Sequence, residues 1–347
     1  MADVTIFGAG IFGLSIAFAC QSRGASVRVI DPGGVGAGAS GGVVGALAPH
    51  VPENWNEKKA FQLESLLLAE AFWAEVAEVS GLPSGYARTG RVQPVADEAA
   101  LALARQREVT ARELWGEAAT WQVVAVDTVA HAPVTPTGLL ILDTLSARLH
   151  PREGGKALAA AILQRGGEIL AEGHATGRVV HATGVAGLAE LSDKLGAPVG
   201  NGVKGQGAVL DFAAPDAPQV FADALHVIFH RNGTTAVGST SEREYASATD
   251  TDTQLDAVLE RARAAVPALR DAKVIERWAG VRPRARSRAP MLGVHPLYPD
   301  QFIANGGFKI GFGMAPKVAQ VMADLVLDGR DEIPAPFRPE ASLPKSG

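Results

Sequence analysis

Gly8, Gly10 and Gly13 stand at the spacing G-x-G-x-x-G, and Asp31 follows downstream. Together these residue types suit a dinucleotide. A pyrophosphate is held by close backbone N–H groups: Gly8 allows the tight turn, Gly10 keeps a Cβ out of the phosphates' way, and Gly13 lets a following helix close on the sheet. A carboxylate at Asp31 accepts hydrogen bonds from ribose hydroxyls. A second set, Arg282, Arg284, Arg286 and Arg288, recurs at every other position. On extended backbone all four guanidinium groups share one face, a surface for an acidic substrate or phosphates, though a charge run is also the pattern of a solvated face.

The elements that must position the glycines are legible around them. Val4 to Phe7 reads as a buried strand, the following apolar run as a helix, and Ser26 to Ile30 as a second strand ending at Asp31. The helix N-terminus then presents free N–H groups and the positive end of its dipole to the pyrophosphate. Strand, glycine turn, helix, strand and acid in this order make a Rossmann start. Gly33 to Pro49 follows with seven glycines beside Ser40, a run whose backbone can press against phosphates and ring edges. Further on, Phe61 to Ser80 has helical apolar spacing, and Leu255 to Ala265 reads as an amphipathic helix halted by Pro267. His226 and His230 flank Val227-Ile228-Phe229, so strand alternation points both histidines away from the face of Val227 and Phe229. Asn232-Gly233 predicts a two-residue hairpin turn.

With 347 residues, 47% of them hydrophobic, the chain has material for two domains. Its net charge of -5 argues against bulk nucleic-acid binding, while leaving room for a local basic patch. Val4 to Ser22 is uncharged, but Asp3 precedes it where a basic flank belongs and three glycines interrupt it, so no membrane anchor is expected. Cys20 is the single cysteine, which rules out an intramolecular disulfide and a cysteine metal cluster and points to a small core residue. No metal site is expected, and the default setting is reducing and cytoplasmic. The tail 333–347 has four prolines and ends in Ser-Gly, a composition that suits disorder.

Several segments, in order, resemble the D-amino-acid oxidase superfamily of FAD enzymes, which includes glycine and sarcosine oxidases and D-amino-acid dehydrogenases. Gly38-Ala39-Ser40-Gly41-Gly42 is similar to its GASG-type turn, Arg178 to Gly184 to its strand ending in Ala-Thr-Gly, and Gly202 to Gly207 to its V-x-G-Q segment. His226 to Glu242 resembles its hairpin, Ala279 to Gly293 its G-x-R-P segment, and Asn305 to Pro316 its terminal glycine-rich turn and helix. The resemblance implies an α/β fold: a Rossmann-type FAD-binding domain with an interleaved α+β substrate domain built on an antiparallel sheet. Residues 1–50, 137–208 and 274–347 would form the first, and 51–136 and 209–273 the second. Noncovalent FAD would lie along Gly8, Gly10, Ile11, Phe12 and Gly13, Asp31, Ala39 to Gly42, Thr183 and Gly184, and Gly306, Gly307, Phe308, Lys309, Ile310 and Gly311. The family's small β-meander is missing, since only Glu168 to Gly177 separates Gly167 from Arg178.

The chemistry implied is hydride transfer from the carbon bearing an amine to the flavin, giving an imine that hydrolyses to an oxo-acid. The substrate is then a small carboxylate-bearing amine, with oxygen or a quinone or other electron carrier as acceptor. Arg282 matches the G-x-R-P arginine and suits the substrate carboxylate. Lys309 falls where glycine oxidases have an arginine, and Gly307 where they have a histidine. His226 occupies a place where relatives often carry an aromatic residue facing the substrate, and His50 lies beside the flavin loop. Two other readings stay open. Gly38 to His50, with Arg282 and Arg286, also resembles the oxidase half of the bifunctional tRNA wobble-uridine enzyme, and related sarcosine and proline dehydrogenases act as subunits of hetero-oligomers. Homo-oligomerisation is likewise left open.

Overall fold

The computed structural model describes residues 1–344. One sheet runs in the order Met291–His295, Tyr298–Asn305, Arg178–His181, Val4–Phe7, Val27–Ile30, Glu168–Leu170. Its last five strands are mutually parallel and Met291–His295 closes the edge antiparallel. Parallel strands are covered on both faces, which is why Val4, Ile6, Val27, Val29 and Val180 are all buried. The helix Ile11–Ser22 lies against this sheet and is packed by the helices Pro151–Gln164 and Gly311–Asp328. Burial on every side explains its lack of charge. Burial also pushes the Cys20 thiol up to about 12, in keeping with a core residue. No helix among the described residues is long and apolar enough to cross a membrane.

The second sheet has eight strands, in the order Lys273–Ala285, Gly200–Asp211, Thr235–Gly238, Leu225–Phe229, Gln219–Ala222, Arg91–Pro94, Leu139–Asp143, Trp121–Ala125. All neighbours are antiparallel except Gln219–Ala222 beside Arg91–Pro94. One face buries Val227, Phe229 and Val237 under Leu255, Val258, Leu259 and Ala262 of the helix Thr253–Ala265. On the opposite face, Val209, Ile228 and Ala236 meet Val43 of the glycine-rich loop. Side-chain alternation thus gives this sheet one face under the helix Thr253–Ala265 and one against the glycine-rich loop.

Three local expectations need correction. The hairpin after Phe229 has a three-residue loop, because His230 N donates to Thr234 O and Gly233 takes a φ of +84°. That is the arrangement of a type I turn followed by a left-handed residue, so Asn232-Gly233 supplies its last two positions. The arginine run does not share one face: the strand ends at Ala285, Arg282 is buried, and Arg286 and Arg288 lie exposed in the turn beyond it. The tail is packed as far as it is described. Ala335–Phe337 and Pro339–Ala341 form short 3-10 turns, and the buried Phe337 ring lies 4.5 Å from that of Phe61; residues 345–347 lie outside the described residues.

The helix containing Phe61 to Ser80 begins at Glu57, where the Asn56 side chain accepts bonds from Lys58 N and Lys59 N. Its buried Phe61, Leu66, Ala69, Trp73 and Val76 join the same apolar cluster as the helix Ile11–Ser22.

Candidate cofactor and substrate site

The turn from Val4–Phe7 into the first helix is built by contact distances only glycine satisfies. Gly8 has φ +110°, and a Cβ there would come within 2.3 Å of Ala182 O; one on Gly13 would come within 1.9 Å of Gly8 O. Gly10 differs, since its Cβ would meet only Ser40 Oγ, at 3.2 Å, and would otherwise face open space. Gly10 precedes the helix with no capping side chain of its own; Ile11 N donates 2.9 Å to Ser40 Oγ. Asp31 braces the turn. Its Oδ2 accepts from Ala9 N at 2.7 Å and its Oδ1 from Gly33 N at 2.9 Å.

That open space belongs to a cavity of about 1220 Å³ running from the glycine turn to the inner face of the eight-stranded sheet. Its Rossmann end is lined by Gly10, Ile11, Phe12, Asp31, Ala39, Ser40, Gly42, Thr183 and Gly184, and its middle by Gly306, Gly307, Phe308, Lys309, Ile310 and Gly311. Buried Asn305 fixes this last turn: Nδ2 donates to Gly184 O at 2.9 Å, and Oδ1 accepts from Gly306 N at 2.7 Å. A Cβ on Gly307 would stand 2.9 Å from the Phe12 ring, so a histidine there would collide with the helix start. Gly8, Gly13 and Gly41 stay out of this cavity. The first two shape its wall, and Gly41 O accepts from Arg152 Nε at 2.9 Å.

Arg282, Lys309 and His226 meet at the far end, on or beside the antiparallel sheet. Arg282 is 8% exposed, and its guanidinium lies over Gly205, where an added Cβ would be 1.7 Å from Nη2. Nη2 donates to Ser239 Oγ at 2.6 Å and Nη1 to Thr240 O at 3.3 Å. Among the described residues it has no carboxylate within ion-pair distance. Desolvation lowers it to about 10, with Glu242 nearby opposing the shift. Lys309 lines the cavity, and its ammonium is depressed by desolvation and by the charges of Arg282 and Arg284. Desolvation, reinforced by Arg91 and Lys309, pushes His226 down to about 3, so the ring is neutral. It packs 4.8 Å from the Phe221 ring, with Nδ1 buried and unpartnered among the described residues.

His230, four positions on, faces the same way but is structural: its Nε2 lies 2.9 Å from Val43 O, which ties the hairpin to the glycine-rich loop. His50 also lines the cavity; its Nδ1 is paired with Gln62 Oε1, which accepts from His50 N as well.

Residues 3–325 match the family model described as FAD dependent oxidoreductase. The chain belongs to that family. It is 29% identical to a glycine oxidase of Pseudomonas putida over 98% of this chain and 99% of the relative. A glycine oxidase of Geobacillus kaustophilus is 27% identical over 93% and 92% of the two chains. The crystal structure of glycine oxidase from Geobacillus kaustophilus superposes with a TM-score of 0.82 at 22% identity, covering 97% of this chain and 98% of that one, a likeness of fold.

This FAD-dependent oxidoreductase has a site that fits its cofactor. A helix start with no capping side chain of its own, a glycine whose missing Cβ opens onto the cavity, and a run of turns along one continuous space suit a long dinucleotide. Sequence reasoning missed Arg91, Phe221, Gln62, Tyr245 and Trp278, which also line the cavity. Asn305 was legible as the residue opening the last glycine turn, but its role depends on Gly184, far away in the chain. Arg91 and Phe221 carry no local signal, because only strand pairing brings them to the site.

Proposed function

We propose that the chain oxidises the C–N bond of a small amino acid or N-substituted glycine, with the substrate carboxylate on Arg282. The observation that carries this is a buried arginine at the end of the cofactor cavity with no ion-pair partner. Burying an unpaired charge is costly, and an anionic ligand with two oxygens offsets the cost through the guanidinium fork.

FAD bound along Gly10, Ile11, Phe12, Asp31, Ala39, Ser40, Gly42, Thr183, Gly184 and Gly306 to Gly311 would supply the hydride acceptor. The remaining work falls to the chain. Arg282, braced by Ser239 and Thr240, fixes one end of the substrate, which orients the carbon bearing the amine. Arg282 and Lys309 also place positive charge near that amine, which favours its neutral form, and the neutral His226 adds no further charge. No carboxylate lines this end among the described residues; Asp31 lies at the other. Proton removal from the amine therefore rests on the electrostatic field and solvent rather than on a carboxylate base.

The test is anaerobic flavin reduction by the FAD-loaded protein with D-amino acids, glycine, sarcosine and other N-alkyl glycines. Bleaching by at least one of them is expected. A flavin that remains bound and oxidised throughout overturns the reading.

A further inference from the structure

We infer that the substrate carries a second acid group and that Arg91 receives it, a conclusion that rests on the amine-oxidising reading above. Arg91 opens the strand Arg91–Pro94 and is 6% exposed, with what remains open facing the cavity. Its Nε donates to Asp143 Oδ2 at 2.9 Å, and wholly buried Asp143 is itself fixed by Ser146 N, which donates to Oδ1 at 2.8 Å. Neither terminal nitrogen of Arg91 has a hydrogen-bond partner among the described residues. A pairing that served only to tie two strands would use the guanidinium fork. Here the anchor takes the inner nitrogen and leaves the Nη1–Nη2 edge, which can grip a second carboxylate with two parallel bonds, toward the cavity.

The spacing between the two arginines suits one small molecule. The Arg282 guanidinium overlies the strand Gly200–Asp211, and that of Arg91 stands 6.0 Å from the Phe221 ring on Gln219–Ala222. Three strand steps separate these positions, about 14 Å at the usual interstrand distance. A carboxylate carbon sits about 4 Å from the guanidinium carbon that holds it, which leaves the two acid groups at least about 6 Å apart, since Gly205 lies two residues off the row Gly207, Gly238, His226 and Phe221. Phe221 and His226 lie between, an uncharged stretch of wall for the carbons and the amine. The ligand class is an amino- or imino-dicarboxylate with a short spacer.

Two measurements on the FAD-loaded protein test this. In the first, glutarate and butyrate are titrated against the oxidised flavin and binding is read from its absorption change; glutarate is expected to bind at least tenfold more tightly. In the second, D-glutamate and iminodiacetate are compared with D-alanine and sarcosine by anaerobic flavin reduction, and the diacids are expected to show the higher efficiency. Arg91→Met leaves Asp143 unpaired and can fail to fold, so Arg91→Met combined with Asp143→Leu removes both charges together. In that double variant the diacid-to-monoacid ratio should fall at least tenfold in both measurements, and Arg91→Lys should keep part of it. Equal binding of glutarate and butyrate by the unaltered protein, or loss of diacid and monoacid alike in the double variant, overturns the assignment. Tight glutarate binding with no amine able to reduce the flavin would preserve the subsite and refute the oxidation reading. Oxidation of monoacids alone would do the reverse.

Discussion

At the residue scale, Arg282 is the cation most exposed to test. Replacing it with leucine removes charge and fork together, and the substrate should lose at least about 2 kcal/mol of binding or transition-state stabilisation, the scale of a buried charge-assisted hydrogen bond. Arg282→Lys should recover only part, because an ammonium cannot make two parallel bonds to a carboxylate. Anaerobic reduction across substrate concentrations, with spectra showing intact FAD, reads both; unchanged efficiency in Arg282→Leu would shift the carboxylate to Lys309. The glycines divide in the same concrete way. Gly8→Ala forces a Cβ into Ala182 O at a positive φ, whereas Gly10→Ala meets only a serine hydroxyl at 3.2 Å. Gly8→Ala should therefore lower the urea midpoint of the FAD-free protein. Gly10→Ala should leave that midpoint nearly unchanged and weaken FAD binding, measured by flavin fluorescence quenching.

At the element scale, the hairpin Leu225–Phe229 to Thr235–Gly238 carries a pH dependence. Val43 O can only accept, so His230 Nε2 carries the proton, and burial holds this histidine down at about 4. An unfolded chain takes up a proton near pH 6.5, while the folded one resists until about 4. Stability is therefore fully present above about 6.5 and declines as pH falls toward 4, by up to about 1.4 kcal/mol per pH unit for each such group. His226 adds to the same decline, down to about 3. Urea unfolding at stepped pH should show a shallower acid slope for His230→Gln than for the unaltered chain; identical slopes would mean that His230 protonates within the fold. The same hairpin marks how far sequence could be read. Alternation around Val227 put both histidines on the face opposite Val227 and Phe229, because period two is local. The loop was one residue longer than Asn-Gly suggests, because strand register is decided by pairing across the turn. The arginine run failed for a related reason: extended backbone stops at Ala285, where the chain turns, so Arg286 and Arg288 leave the face that Arg282 occupies.

At the scale of the whole molecule, the cofactor segments were legible because backbone chemistry demands glycine at close approaches, and those glycines recur in order from Gly8 to Gly313. Arg91 was not, since its place in the site comes from pairing with Gln219–Ala222 and Leu139–Asp143, strands remote in the chain. The consequence is a cavity with walls from both sheets, and FAD should couple them. A ligand at one hundred times its Kd stabilises the folded state by about 2.7 kcal/mol, so added FAD should raise the unfolding temperature of the apoprotein in a concentration-dependent way. Where that protection falls is the sharper measurement. Hydrogen exchange should slow not only around Gly10 and Gly306 but also in Gly200–Asp211 and Lys273–Ala285, whose residues Gly207, Trp278 and Gly280 line the same space. Protection confined to the parallel sheet would mean that the cofactor ends short of the antiparallel one, and Arg282 would then lie too far from the flavin to hold a substrate against it.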